Sequence, residues 1–343
     1  MAHKFKIMKF GGSVLNNVKA PEKMLNIIEK TDSYPVIVIS AFDKTTQMLK
    51  DAAYDILKNN GKSNDSNLNK IISYHNNFID SLIEDKNNAE NAKNQIHQKH
   101  LEINNILKGI EITKEVTRKT LDNIMSYGEE LAMIVLKNVF DAYDIKGRYI
   151  DSKELIFTDD NYGEAKPIVE LSADNVKKII PDTGDSYFTM IPGFTAITQK
   201  GFKSTMGFES SNLTAVLIAD FLNIKNIQIW TDVEGIRNAD PDIFANTYTI
   251  KNINYDEAYI AALNGVKLFY PLMLYYAKQN NITIEYRSFL KTNGDFSIIN
   301  NTKTQYHKII TYTDDLSHYY VEENLDKIKT EKNINVNLDE YEY

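Results

Sequence analysis

Lys9, Gly11 and Gly12 stand where an apolar strand near the start of the chain runs into paired glycines, K-I-M-K-F-G-G-S-V from Lys6 to Val14. Two adjacent glycines permit a sharp turn and, lacking Cβ, let an anion approach the peptide N–H groups. Lys9 can bring a point charge to the same anion. That chemistry is phosphate binding; the plain alternative is a strand-to-helix turn with a surface lysine, and the glycine pair does not decide between them. A second polar group follows the apolar run Tyr34 to Ser40: Asp43, Lys44, Thr45 and Thr46. Side chains just past the carboxyl end of a parallel strand line ligand sites in open α/β sheets, but Thr45 and Thr46 could equally cap the next helix. Glu129 comes directly after Gly128 in an otherwise apolar helical stretch. A glycine there costs about 1 kcal/mol relative to alanine, so something is expected to approach that backbone. Glu129 either holds an ammonium group or is an exposed acid like its neighbour Glu130. His97 and His100 have helical spacing, but no further ligands complete a metal site, so they read as solvated helix surface and no metal ligand is assigned.

The elements that must position these groups alternate. The opening strand is followed by a helical pattern from Leu15 to about Lys30, then the strand at Tyr34 and a helix from about Met48. The polar stretch from Gly61 to Asn105 reads as two surface helices around a connection near Lys86 to Gln95, and Thr120 to Tyr143 as one stronger helix. Further strands are expected at Gly147 to Ile150, Tyr187 to Ile191, Ile224 to Trp230 and Ile282 to Tyr286. Helices are expected at Ile168 to Ile180, Leu213 to Phe221, Tyr255 to Leu263 and Leu268 to Gln279. Lys203 to Asn212 reads as a loop with Ser210, Ser211 and Asn212 as N-cap candidates. Such alternation implies a mostly parallel sheet with helices on both faces. The expected organisation is a catalytic unit over 1–300 and a short acidic appendage over 301–343, with one helix near Val321 to Ile328.

Composition narrows the function classes. At 343 residues and 43% hydrophobic, the chain can bury a large core. The formal charge of −8 without a basic block argues against nucleic acid and anionic membranes as partners. No apolar run is long enough to span a bilayer, and the start lacks the features of a secretory signal. The absence of cysteine excludes thiolate chemistry and fits a reducing cytoplasm.

Taken together, several stretches resemble the aspartate kinases of the amino-acid kinase family. They are Lys9-Phe10-Gly11-Gly12-Ser13-Val14, Ser40-Ala41 with Lys44-Thr45-Thr46, Ser126-Tyr127-Gly128-Glu129, Pro192-Gly193-Phe194, Thr231 to Ile236 with Asp240-Pro241, and Gly265-Val266-Lys267 before Pro271. Each is weak alone; in this order they are specific. The resemblance implies a three-layer αβα sandwich with a mostly parallel central sheet, using ATP and Mg2+ to phosphorylate the β-carboxylate of L-aspartate. It implies that Lys9, Gly11, Gly12 and Ser13 contact the phosphates, that Lys267 adds a second cation, and that Thr231, Asp232 and Arg237 hold the nucleotide, with Lys9, Lys267 and Asp232 the catalytic set. Ser40, Thr46, Glu129, Phe208, Ser211 and Asn212 match the amino-acid site, with Glu129 on the substrate ammonium. The expected partners are a small carboxylate and a second copy of the chain in a homodimer.

The departures bear on substrate. Where the family usually carries Arg-Gly-Gly-Ser-Asp, this chain has Phe208-Glu209-Ser210-Ser211-Asn212. Phe208 cannot grip a carboxylate and Asn212 has lost the charge; it stays open whether Lys203 or Arg237 replaces the arginine in space. On the nucleotide side the usual tyrosine is Arg237, able to stack on a purine, and the usual arginine is Asp242, which would repel a triphosphate. The 301–343 stretch is too short for the two ACT modules common in the family, so a chain without lysine or threonine feedback is expected. Three readings therefore remain: aspartate kinase, a kinase for another carboxylate such as a masked aspartate, and a non-catalytic nucleotide-binding homologue.

Overall fold

Strands that are apolar on both faces must lie between two layers of cover. In β1 (Phe5–Phe10), Phe5 and Ile7 join one buried cluster, while Met8 and Phe10 join another. In β2 (Tyr34–Ile39), Val36 and Val38 face the first and Ile37 and Ile39 the second. The computed structural model describes residues 5–58, 66–241, 243–266, 268–302 and 307–311. Six helices cover the Met8 face: α1 (Ala20–Ile28), α2 (Thr45–Lys58), α3 (Ser66–Leu82), α4 (Lys86–Thr113), α5 (Arg118–Met125) and α6 (Tyr127–Ala142). The Ile7 face is covered by α7 (Val169–Ile179), α8 (Ser211–Phe221), α9 (Tyr255–Leu263) and α10 (Pro271–Gln279). The result is the expected three-layer αβα sandwich.

The remaining strands are β3 (Gly147–Tyr149), β4 (Phe157–Thr158), β5 (Phe188–Pro192), β6 (Thr195–Thr198), β7 (Lys203–Thr205), β8 (Asn226–Thr231), β9 (Ile236–Arg237), β10 (Thr249–Ile250), β11 (Asn252–Asn254), β12 (Thr283–Ser288) and β13 (Ser297–Asn300). The central sheet has the order β11-β13-β12-β8-β1-β2-β5-β3. All pairs in it are parallel except β12 with β13. β4, β6 and β7 form a side sheet, and β9 with β10 a small hairpin.

Several boundaries differ from expectation. The first helix begins at Ala20 rather than Leu15: Asn17 accepts the Lys19 N–H at 3.0 Å through its side chain and the Ala20 N–H through its carbonyl, and Pro21 suits a first turn. The stretch Lys86 to Gln95 is helix, started by Asp85, whose carboxylate accepts the Asn88 N–H. Alanines carry its buried stripe, Ala89 and Ala92 before Ile96, so apolar spacing understated it. Neither α3 nor α4 is a mere surface helix, since Ile71, Phe78, Ile79 and Ile103 are core. His75 is buried too, stacked on Phe42 at 5.6 Å, with its Nδ1–H donating to the Ile71 carbonyl. The single helix over 120–143 is two helices broken at Ser126, whose hydroxyl donates to the Asn123 carbonyl. The loop over 203–212 contains β7, too short to show alternation. The last helix starts at Pro271, not Leu268. Of the acidic appendage, the helix near Val321 to Ile328 and the terminal acids lie outside the described residues.

Asp122 ties the helical layer to the side sheet. It is buried, and its carboxylate accepts the N–H groups of Gly163 and Thr205, both at 2.9 Å, and the Thr205 hydroxyl at 2.8 Å. Removing it strands three donors, each hydrogen bond to a charged group being worth about 1.5 to 3 kcal/mol. Asp122→Ala should therefore lower unfolding stability by about 3 kcal/mol or more, read as an earlier urea midpoint at unchanged slope; an unshifted midpoint would contradict this role.

Candidate functional site

The sheet's central strand sets the site. β1 lies between β8 and β2; the chain passes from β1 to β2 through α1 on one face of the sheet and enters β8 from α8 on the other, so a crevice opens beyond the carboxyl ends of these strands. Backbone bonds lace the exits together. The Gly11 N–H donates to the Trp230 carbonyl at 3.1 Å, the Ser40 N–H to the Phe10 carbonyl at 3.2 Å, and the Gly193 N–H to the Ile39 carbonyl at 2.8 Å.

The glycine turn is pressed onto the β2 exit. A Cβ on Gly12 would stand 2.4 Å from the Ala41 carbonyl oxygen, closer than any side chain permits. Gly11 borders the Lys9 ammonium, which would lie 3.6 Å from a Cβ there. Lys9 is not a surface lysine: it is 5% exposed. Among the described residues no hydrogen bond or ion pair reaches its ammonium. Burial pushes its pKa down, partly countered by the carboxylates of Glu209 and Glu129. A buried charge left in this state is costly, and an anion delivered to it would relieve that cost.

Glu129 forms the opposite wall. It is 3% exposed and so is not the exposed acid that the sequence left open. One carboxylate oxygen accepts the Ala41 N–H at 3.2 Å, and the other is buried without a hydrogen-bond partner. Burial pushes its pKa up to about 8, against the pull of the Ala41 N–H and Lys9. The approach at Gly128 comes from the β2–α2 loop, since a Cβ there would stand 2.8 Å from the Thr46 hydroxyl and 2.9 Å from the Ala41 Cβ. Thr45 does not cap α2; its hydroxyl donates back to the Phe42 carbonyl. Glu130 faces a separate cluster, with Lys203, Lys153 and Lys99 at 2.7, 3.1 and 3.3 Å, which holds its carboxyl below the usual range despite burial.

The start of α8 closes a third side. Ser211 packs against Gly193, and Ser210 and Asn212 are buried. Ser210 occupies the N-cap position without capping through its side chain; its Oγ and the Asn212 Oδ1 are buried without partners. Buried polar atoms are normally paired. These two and the second Glu129 oxygen lie where a polar ligand between α6 and α8 would pair them. Phe208 sits at the rim, 44% exposed.

On the nucleotide side, Thr231 is buried at the end of β8 and accepts the Val233 N–H at 3.1 Å, while Asp232 is exposed just beyond. Ser13 is exposed on the glycine turn, and Ser40 and Thr46 are half-buried. The Arg237 guanidinium donates to Thr247 and Thr249, bracing the β9–β10 hairpin. Lys267 and Asp242 lie outside the described residues. Among the described residues no three His, Asp or Glu side chains group to hold a metal ion unaided. Sequence reasoning did not find Glu209, a non-glycine residue at φ 65°, or Lys50 near Phe208; the only signal for Lys50 is its helical spacing from Thr46.

The amino acid kinase family model matches residues 4–285. Aspartokinase 2, chloroplastic, of Arabidopsis thaliana is 28% identical over 313 residues, 89% of this chain and 56% of the relative. Lysine-sensitive aspartokinase 3 of Escherichia coli K12 is 25% identical over 284 residues, 81% of this chain and 60% of that protein. The chain thus spans little more than half the length of the curated relatives it matches. The crystal structure of E. coli aspartokinase III in complex with aspartate and ADP has the same fold, with a TM-score of 0.78 at 21% identity, covering 90% of this chain and 67% of that one. Clostridium acetobutylicum aspartate kinase superposes with a TM-score of 0.65 at 23% identity, covering 86% and 62%.

The state of Glu129 has a thermodynamic signature. Its folded pKa of about 8 exceeds the ordinary 4.5, so between those pH values the folded protein keeps a proton that the unfolded chain has lost. Glu129 therefore makes stability fall as pH rises through that window. Glu129→Gln should show a shallower decline in urea-derived unfolding free energy from pH 5 to pH 8 than the wild type; identical slopes would place the Glu129 pKa near its ordinary value.

Proposed function

Because this chain belongs to the amino acid kinase family, we propose that it transfers the γ-phosphoryl group of ATP to a carboxylate, the side chain of L-aspartate, giving 4-phospho-L-aspartate. The observation that carries this reading is the buried Lys9, whose ammonium borders the Gly11-Gly12 turn and has no hydrogen-bond or ion-pair partner among the described residues, with the partly unpaired Glu129 carboxylate across the crevice. Joining a carboxylate to a phosphoryl group brings two anions together, so positive charge and alignment are what the protein must supply. Lys9 and the N–H groups of Gly12 and Ser13 hold the transferring phosphoryl group, the Gly11 N–H being taken by the Trp230 carbonyl, and Glu129 fixes the substrate ammonium. The carboxylate is already a nucleophile and needs no general base; an O–P bond to it forms as the bond to ADP breaks. Thr231 and Asp232 would hold the nucleotide, and Lys267 would add a second cation. Mg2+ arriving with the phosphates would keep much of its water shell and need only one or two carboxylates; Asp232 would be one, and the ion would neutralise phosphate charge.

A second reading keeps this machinery for a different carboxylate and is favoured by Phe208 and Asn212. The proposed catalytic unit is 1–300, acting in the cytoplasm in the biosynthesis of aspartate-derived amino acids such as lysine and threonine; no helix among the described residues is long and apolar enough to cross a membrane. Trapping the acyl phosphate as a hydroxamate, with ATP, Mg2+ and a panel of carboxylates, separates the readings. Product from aspartate supports the first, product from another acid alone supports the second, and none from any acid refutes both. In the active case Lys9→Met should lower kcat by about 100- to 1,000-fold, as for loss of one group stabilising transition-state charge; retention of more than half the rate would remove Lys9 from the mechanism.

A further inference from the structure

An amino acid whose ammonium sits on Glu129 also brings an α-carboxylate, and that charge needs a cation. Two residues that the sequence left as candidates are already engaged. Lys203 pairs with Glu130 at 2.7 Å and lies over the Tyr127 ring at 3.8 Å, while Arg237 is bonded to Thr247 and Thr249. Lys50 is different. It lies one turn after Thr46 on α2, so the two side chains share a helix face, and Thr46 packs against Gly128, next to Glu129.

The Lys50 ammonium lies 5.1 Å from the centroid of the Phe208 ring, on the β7–α8 connection. Among the described residues no carboxylate comes within ion-pair distance of it. The Phe208 ring in turn lies 6.2 Å from that of Phe194. The connection bearing Phe208 is braced: the Tyr270 hydroxyl donates to the Met206 carbonyl at 2.5 Å, and the next residue, Glu209, is held at φ 65°. The ring therefore makes a fixed shelf that steadies the ammonium by a cation–π contact without neutralising it. The contact spans the crevice from α2 to the start of α8, where Ser210 Oγ and Asn212 Oδ1 are unpaired.

We propose that Lys50, held on Phe208, is the residue that binds the α-carboxylate of the amino-acid substrate. This rests on the reading of the chain as a kinase for an amino-acid carboxylate. Glu129 and Lys50 then recognise the two charges common to α-amino acids, and Phe208 acts by positioning the lysine.

Steady-state kinetics of Lys50→Met, Lys50→Arg and the wild type test this. The expected result for Lys50→Met is an aspartate KM raised about 10- to 100-fold, the loss of one partner of a partly desolvated charge pair, with kcat and the KM for ATP within about threefold of wild type. Lys50→Arg should recover most of the affinity. An unchanged aspartate KM overturns the proposal, and so does a parallel rise in the KM for ATP, which marks a merely structural role. Should Lys50→Met fail to fold, Lys50→Gln carries the same comparison. Wild-type protein that gives no hydroxamate from any acid of the panel refutes the kinase reading instead; calorimetric titration of aspartate then decides the matter, weaker binding to the variant supporting Lys50 and equal binding, or none to either, refuting it.

Discussion

The site depends on an ammonium and a carboxylate held in a crevice too dry for either. Lys9 is the last residue but one of the central strand of the sheet, flanked by Val38 of β2 and Ile229 of β8, so it cannot move without disturbing three strands. Burial pushes Lys9 down and Glu129 up, toward the neutral form in both cases. Their mutual attraction opposes this only in part. Under the proposed reaction each substrate restores one of the two charges: a phosphate favours the charged lysine, and an ammonium favours the charged glutamate. The two binding events thereby reinforce the electrostatics that the apo crevice strains against.

Close backbone packing around the exit of β2 creates that crevice. Ala41 receives Gly12 on its carbonyl, Gly128 on its Cβ and Glu129 on its N–H, so one small residue gathers the glycine turn, the helix of the acid and the strand. The next acid, Glu130, is turned to the far side and saturated by three lysines. Adjacent acids on one helix thus do opposite work. One is satisfied and anchors α6 to α4 and the side sheet; the other is left partly unpaired.

The large strands were legible because continuous apolar runs have no other place than a covered sheet, and β1, β2, β5, β8 and β12 fall where their runs lie. The glycine turn was legible as a motif, but the burial of Lys9 beside it, on which the proposed phosphate role rests, was not. Glu129 was not decided by sequence, because it differs from Glu130 only in helical phase, and that phase is set by the break at Ser126. Short strands such as β4 and β7 escaped because two or three residues carry no period. Helix α4 escaped in part because alanine marks a buried stripe weakly. Asp122 and Lys50 carry little local signal: apart from the spacing of Lys50 from Thr46, each acquires meaning from residues more than forty positions away, Gly163 and Thr205 for the first and Phe208 for the second.

The rim shows how a crevice can change its charge layout without losing its charge balance. The β7–α8 connection presents an aromatic ring and an acid, Phe208 and Glu209, and the acid acts on Lys9 from outside, as Glu129 does from within. Such a connection is a poor place for a substrate carboxylate. The facing wall, α2, supplies the compensating cation, and the ring at the rim keeps that cation over the opening rather than in bulk water. A ring cannot neutralise an ammonium, whereas a carboxylate can, so contact with an anion is the stronger of the two available to Lys50. In the proposed reaction, recognition of a zwitterion is therefore divided between helices α6 and α2, both packed on the same face of the sheet, while the β7–α8 connection contributes shape.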